Sequence, residues 1–161
     1  MRWHGEVKLQ RWLGISVSGD KVTLVEATVD GDEPLTIVGD RTLRLQSGDR
    51  ALAYKTLHGQ VADYVDHVDL DKVVIKASTA NQRGMGKAHL LAAELRGVVI
   101  AAAATNAPVK QVATGYISNT FGKRKFDEYL GDDAFWTSEV AGVELRKGSR
   151  DAALLLIHAR G

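Results

Sequence analysis

The stretch WLGISVSGDKVTLVEATVDGD, residues 12–32, decides the fold. It consists of two apolar runs separated by Ser18-Gly19-Asp20, residue types that accept the backbone conformations of a tight turn. The first run, from about Trp12 to Val17, reads as a buried strand. In the second, Lys21 to Val29, side chains alternate: Val22, Leu24 and Glu26 fall on one face, and Thr23, Val25 and Ala27 on the other. Asp30-Gly31-Asp32 then signals a hairpin, and a third strand is predicted from Leu35 to about Leu45. Three strands joined by short turns form an antiparallel meander.

Beyond it the apolar period changes. Tyr54, Leu57, Val61, Tyr64, Val65 and Val68 recur at spacings of three and four, which predicts a helix over residues 49–67. Lys72 to Ala77 is a short apolar run and reads as a buried strand. A loop follows to Gly86, and a second helix is predicted from Lys87 to Arg96, ended by Gly97. Val98 to Ala104 is assigned as the fifth strand, on its length and flanks. Pro108 suits the first turn of a short helix, and another helix is expected around Arg124 to Leu130. Ser149 is the predicted N-cap of a final helix, Arg150 to Ala159. That helix is apolar nearly all round, so it must be buried. The order β-β-β-α-β-α-β-α…α predicts an α/β domain. Its five-stranded mixed sheet has three antiparallel strands and two in β-α units, with helices on both faces.

Length and composition narrow the setting. A chain of 161 residues, 45% hydrophobic and 25% charged, builds one domain with a real core and is not disordered. Residues 1–11 are expected to be an N-terminal extension or short edge strand, and 12–161 the domain. The absence of cysteine excludes disulfides, thiolate metal sites and cysteine nucleophiles. The start, Met1 to Glu6, is too polar for a secretory signal. The longest apolar run, Val98 to Ala104, falls far short of the roughly 18 residues of a membrane span. The expected setting is therefore cytoplasmic, with no membrane partner. Net charge is +1, so any surface for nucleic acid must be local.

Several segments together carry a family resemblance. Leu13-Gly14-Ile15-Ser16-Val17, running on through Val25, resembles the opening hairpin of RuvC-type Holliday-junction resolvases, members of the ribonuclease H-like superfamily. Ala107-Pro108-Val109-Lys110-Gln111-Val112-Ala113-Thr114-Gly115 resembles that family's proline, lysine, valine and glycine stretch, and Lys123 has a counterpart too. Asp151-Ala152-Ala153-Leu154-Leu155-Leu156-Ile157-His158 resembles the closing helix, which begins Asp-Ala and carries a histidine near its end. Val73-Val74-Ile75-Lys76 and Arg83-Gly84-Met85-Gly86-Lys87 resemble segments of a small related bacterial family. The likeness runs from about Leu13 to the C-terminus. It implies the ribonuclease H-like fold, a nucleic-acid substrate and a homodimer.

The resemblance also implies a chemistry that most of the residues do not support. Two-metal phosphodiester hydrolysis needs several carboxylates to hold two Mg²⁺ about 4 Å apart, one ion activating water and the other steadying the leaving oxygen. The family places its first acid in mid-strand one, where Ser16 stands here. The second belongs at the end of strand four, where Lys76 stands. The last two belong at the start of the final helix, where Gly148 and Asp151 stand. Only Asp151 is acidic, and an ammonium at Lys76 repels a divalent cation. Asp151 also has an ordinary role, since a carboxylate in a helix's first turn is favoured by about 0.3–1 kcal/mol. An ion pair between Lys76 and Asp151 across the site is expected.

Three readings follow, and they leave enzymatic status open. In the first, the chain is a non-catalytic module that binds DNA or RNA, without a cofactor, through Lys76, Lys87, Lys110, Lys123, Arg124, Lys125 and Arg150. Arg146 and Lys147 lie near the same edge. The densest cluster, Gly122 to Lys125, is flanked by Phe121 and Phe126, a mix of cations and rings suited to phosphates and bases. In the second, a rearranged site using Asp151 and Glu26 holds Mg²⁺ or Mn²⁺ and cuts nucleic acid. In the third, exposed aromatics such as Trp3, Trp12, Phe135 and Trp136 form an interface within a larger complex. The loop at Arg83 to Lys87 is not an ATP site, because Asn81 and Ala88 break the Walker pattern. It does place Lys87 and free amides at a helix start. No serine triad and no histidine metal spacing is present.

Overall fold

The computed structural model describes residues 9–78, 86–120 and 124–161. Three antiparallel strands open the chain: β1 (Gln10–Ser18), β2 (Lys21–Val29) and β3 (Leu35–Arg44). β1 begins two residues before the predicted start. The β1–β2 hairpin closes with Ser18 opposite Lys21, and Gly19 takes a φ of +60° at the first of the two loop residues. That positive φ matches the twist of the flanking strands and is available to glycine without strain.

Helix α1 (Arg50–His67) starts where the Asp49 side chain accepts the Leu52 N–H at 2.9 Å. It buries Ala53, Leu57, Val61 and Val65, one residue per turn. Strand β4 (Lys72–Lys76) returns parallel to β1.

The next element corrects the sequence reading. Residues 87–103 form one continuous helix, α2 (Lys87–Ala103), and not a short helix followed by a strand at 98–104. Alanine is the strongest helix former, and a single glycine costs only about 1 kcal/mol, so Gly97 at an exposed position does not end it. Leu95, Val99, Ala102 and Ala103 carry the apolar stripe onward. The fifth strand is instead β5 (Val109–Val112), where a short helix after Pro108 was predicted. Proline is tolerated at a strand's beginning, and here the Pro108 carbonyl accepts the Val73 N–H at 2.9 Å.

Three short helices follow, α3 (Thr114–Thr120), α4 (Phe126–Leu130) and α5 (Asp133–Glu139). Then comes a further strand that the sequence reading lacked, β6 (Val140–Gly142), parallel to β3. A 3₁₀ turn (Lys147–Ser149) leads into α6 (Arg150–Arg160). Among the described residues the sheet therefore has six strands, in the order β5-β4-β1-β2-β3-β6, with β6 covering the β3 edge.

The two sheet faces carry separate cores. Leu13, Ile15, Val22, Leu24, Val73 and Ile75 pack under α1 and α2. Val25, Ala27, Ile37 and Val74 pack under α6, with Ile117, Phe126 and Trp136 beside them. Ala152 to Ile157 are fully buried, as the nearly all-apolar sequence of α6 requires. Trp12 and Trp136 belong to this core and Phe135 packs against it, so they do not form the exposed aromatic interface expected of them. Trp3 lies outside the described residues.

α6 approaches β1 more closely than a side chain allows. A Cβ at Gly14 would lie 2.3 Å from the Ala152 carbonyl oxygen. Gly14→Ala is therefore expected to destabilise the fold by at least about 2 kcal/mol, because backbone must move. Urea unfolding of the variant against wild type measures this.

Candidate functional site

The β1–α6 contact places Ser16 opposite Asp151. Ser16 is buried on the α6 face of β1, and its Oγ donates a short hydrogen bond to Asp151 Oδ2. Asp151 Oδ1 accepts the Ala152 N–H at 2.8 Å. Both oxygens of Asp151 thus face protein donors. Gly148, in the 3₁₀ turn, contributes no side chain.

Lys76, half-buried at the end of β4, does not form the ion pair with Asp151 that was expected. Its Nζ lies 5.0 Å from the centre of the Phe126 ring. An ammonium is attracted to the face of an aromatic ring while its stem lies on apolar surface. The neighbouring basic residue on the same sheet face is Lys110 of β5, whose strand partner is Val74. Lys110 is exposed and lines a hollow of about 570 Å³ with Tyr116 of α3 and His158 of α6. Burial, with the nearby Lys110 charge, holds His158 below its ordinary pKa. Tyr116 was not singled out by sequence, because a lone tyrosine in an irregular region has no period to mark it.

The other predicted site residues divide. Lys87 is exposed at the first position of α2 and Lys125 is exposed ahead of α4. Lys123 lies outside the described residues, as do Arg83, Gly84 and Met85. Arg124 is engaged by its own neighbourhood, with Asp132 at 2.9 Å, the Glu128 carbonyl at 3.0 Å and the Tyr129 ring beneath it. Arg150 must be removed from the nucleic-acid set. It is buried, donating to the Leu130 carbonyl at 2.9 Å and Asp133 at 2.8 Å, and it braces α6 against α4 and α5.

Glu26 is not brought to Asp151. Its strand partner is Leu13, so it points to the α1–α2 face, while Asp151 lies on the opposite one. There it accepts the Tyr64 hydroxyl at 2.6 Å and pairs with Arg11 at 3.2 Å. Burial and the Glu26 hydrogen bond push the Tyr64 phenol well above its usual pKa. A pair of Mg²⁺ ions does not fit these residues. Asp151 is already engaged by the Ser16 hydroxyl and the Ala152 N–H, and among the described residues no three acids or histidines gather as a metal site.

The acid that sequence reasoning missed is Asp40. Strict alternation from Leu35 and Ile37 would point it at α1. A bulge intervenes, because Ala27 pairs with Ile37 and Glu26 with Gly39, leaving Val38 as the extra residue. Asp40 is thereby turned to the α6 face, its side chain only 5% exposed. It accepts Arg146 Nε at 3.0 Å, Arg146 Nη2 at 2.8 Å, the Arg146 N–H at 3.1 Å and Ser149 Oγ at 2.6 Å. Ser149 stands at the N-cap position of α6 as expected, but its hydroxyl is used on Asp40 and not on the helix's own N–H groups. Burial alone would raise the Asp40 pKa, but the hydrogen bonds from Arg146 and Ser149 outweigh it, and the carboxyl ionises below its ordinary 3.8.

No family model matches the chain, and no curated protein matches it in sequence. Solved structures do. Thermus thermophilus RuvC in complex with a Holliday junction substrate superimposes with a TM-score of 0.70 at 12% identity, over 92% of both chains. A second Thermus thermophilus RuvC structure gives 0.69 at 13%, over 94% of both. The yeast mitochondrial Holliday junction resolvase Ydc2 gives 0.63 at 13%, over 94% of this chain and 78% of its own. The likeness is one of fold. This chain has a ribonuclease H-like fold, and in that fold it is similar to RuvC. No helix among the described residues is long and apolar enough to cross a membrane.

Two measurements check this account of the site. Asp151→Ala leaves the buried Ser16 hydroxyl without its acceptor and is expected to cost about 1–3 kcal/mol. In a double-mutant cycle with Ser16→Ala the two costs should fall short of additive, since both remove one interaction. Asp40 sets an acid limb. Its folded pKa is depressed, so its stabilisation is complete above the ordinary value and is lost as pH falls through the lowered one. Asp40→Asn should lower stability at neutral pH and flatten the loss of stability below about pH 4, read from urea midpoints across pH.

Proposed function

We propose that this chain is a RuvC-like module that binds nucleic acid and does not cut it by the two-metal reaction. The observation that carries the reading is the Ser16–Asp151 hydrogen bond beside Lys76: where divalent cations would need converging carboxylates, there is a hydroxyl, one engaged acid and an ammonium. The same face supplies binding chemistry in place of hydrolysis. Lys76 and Lys110 share the α6 side of β4 and β5, with Tyr116 exposed nearby. Cations beside an exposed ring suit a phosphate backbone with an unstacked base. Branched DNA is the first substrate to try, since a RuvC of the same fold holds a Holliday junction. A homodimer belongs to the same reading by family resemblance.

Fluorescence anisotropy with a labelled four-way junction, a duplex and a single strand tests this. Affinity is expected to fall roughly 10- to 100-fold between about 50 and about 200 mM salt. Lys76→Ala and Lys110→Ala should each weaken binding and reduce the salt slope by about 1. No cleavage is expected with Mg²⁺ or Mn²⁺. Failure to retain any of the three at low salt would overturn the binding reading. Metal-dependent cleavage abolished by Asp151→Ala would replace it with an active nuclease.

A further inference from the structure

Next to the Ser16–Asp151 contact, on the β2–β3 side, the sheet opens into a cleft of about 470 Å³. Its walls come from three parts of the chain. Lys21 and Thr23 stand on β2, Thr42 and Arg44 on β3, and Arg146 and Ser149 frame the turn before α6. Ser16, Thr23 and Thr42 are consecutive partners across β1, β2 and β3, so a row of hydroxyls runs from the Ser16–Asp151 contact into this cleft. None of the three cations belongs to the Lys76–Lys110 surface.

Two features of the cleft point to a ligand. First, Lys21 and Arg44 are directly opposite each other in the antiparallel ladder. Like charges at such positions repel. Among the described residues neither has an acidic partner within ion-pair distance. Second, Arg146 is held in place by protein. Its Nε and Nη2 hydrogen-bond the buried Asp40, and Nη2 also reaches Thr42 Oγ1 at 2.8 Å. More than half of the side chain remains exposed at the cleft. Asp40 neutralises one of three charges and fixes the guanidinium, so the cleft keeps an excess of positive charge around oriented donors.

The structure assigns this cleft as a phosphate-binding site, in which Lys21, Arg44 and Arg146 neutralise the anion and Thr23 and Thr42 donate hydroxyl hydrogen bonds to it. A tetrahedral oxyanion has several acceptor oxygens and can meet ammonium, guanidinium and hydroxyl groups at once. The site takes either a free phosphomonoester or a backbone phosphodiester, which share this chemistry. It does not depend on the nucleic-acid reading of Lys76 and Lys110.

The test is an amide chemical-shift titration of the full chain with inorganic phosphate, paired with thermal melts in phosphate or chloride at equal ionic strength. Phosphate should shift the Thr23, Thr42, Gly148 and Ser149 amides and raise Tm above that in chloride. Arg44→Gln and Lys21→Gln should each weaken phosphate binding at least tenfold, with Tm in chloride unchanged or raised because a repulsion is gone. Adenosine monophosphate and an oligonucleotide lacking terminal phosphates identify the source. Tighter binding of the mononucleotide at these amides assigns a free monoester, and tighter binding of the oligonucleotide assigns a strand. Equal melts in phosphate and chloride would overturn the site, as would phosphate affinity unaltered in both variants. A lowered Tm of the variants in chloride would give the two cations a structural role and also overturn it. Shifts confined to Lys76 and Lys110 would remove this cleft while leaving the proposed function standing.

Discussion

The structure depends on the approach of α6 to β1 at Gly14. Where any side chain would press into the Ala152 carbonyl, hydrogen in place of a Cβ lets the helix backbone rest on the strand. That contact seats six consecutive fully buried residues of α6 over the centre of the sheet. It also sets Asp151 against Ser16 and brings the chain's last helix beside β1 and β4. The apolar cluster on this face draws on both ends of the sequence, so moving α6 outward would open a cavity along the whole cluster.

That same seating governs what the Ser16–Asp151 site can do. Ser16 and Asp151 meet because the helix rests directly on the strand, and the carboxylate is then satisfied by a hydroxyl and an amide. Lys76 is drawn aside by the Phe126 ring. The arrangement is electrically moderate and internally bonded, the opposite of the carboxylate cluster that a pair of divalent ions requires. Positive charge is instead distributed on either side of it, on β4 and β5 in one direction and on β2, β3 and Arg146 in the other.

One extra residue in β3 decides the second side. The bulge at Val38 reverses the facing of the strand beyond it, so Asp40, Thr42 and Arg44 turn toward α6 and Val38 is left exposed. Asp40 can then hold Arg146 and Ser149, which joins the turn before α6 to the sheet. An alternation rule applied from Leu35 has no means of detecting this. A bulge depends on how two strands pair and twist together, and one strand's pattern says nothing of its partner's register.

From the residues alone, local and periodic features could be read. The β1–β2–β3 meander was legible in its turns and alternation, and α1 and α6 in their apolar patterns. The stretch from Val98 to Val112 was not, because an alanine-rich run after a glycine satisfies a strand reading as well as a helix reading until packing under the sheet chooses. Tertiary structure alone decided which charges are available. Arg150 and Arg146 look alike in sequence, four residues apart, yet one is buried as a brace and the other is pinned at an open cleft. The physical reason is that a cation's function depends on which carboxylate reaches it and from which side. Those carboxylates, Asp133 and Asp40, come from elements whose positions follow only from the assembled fold.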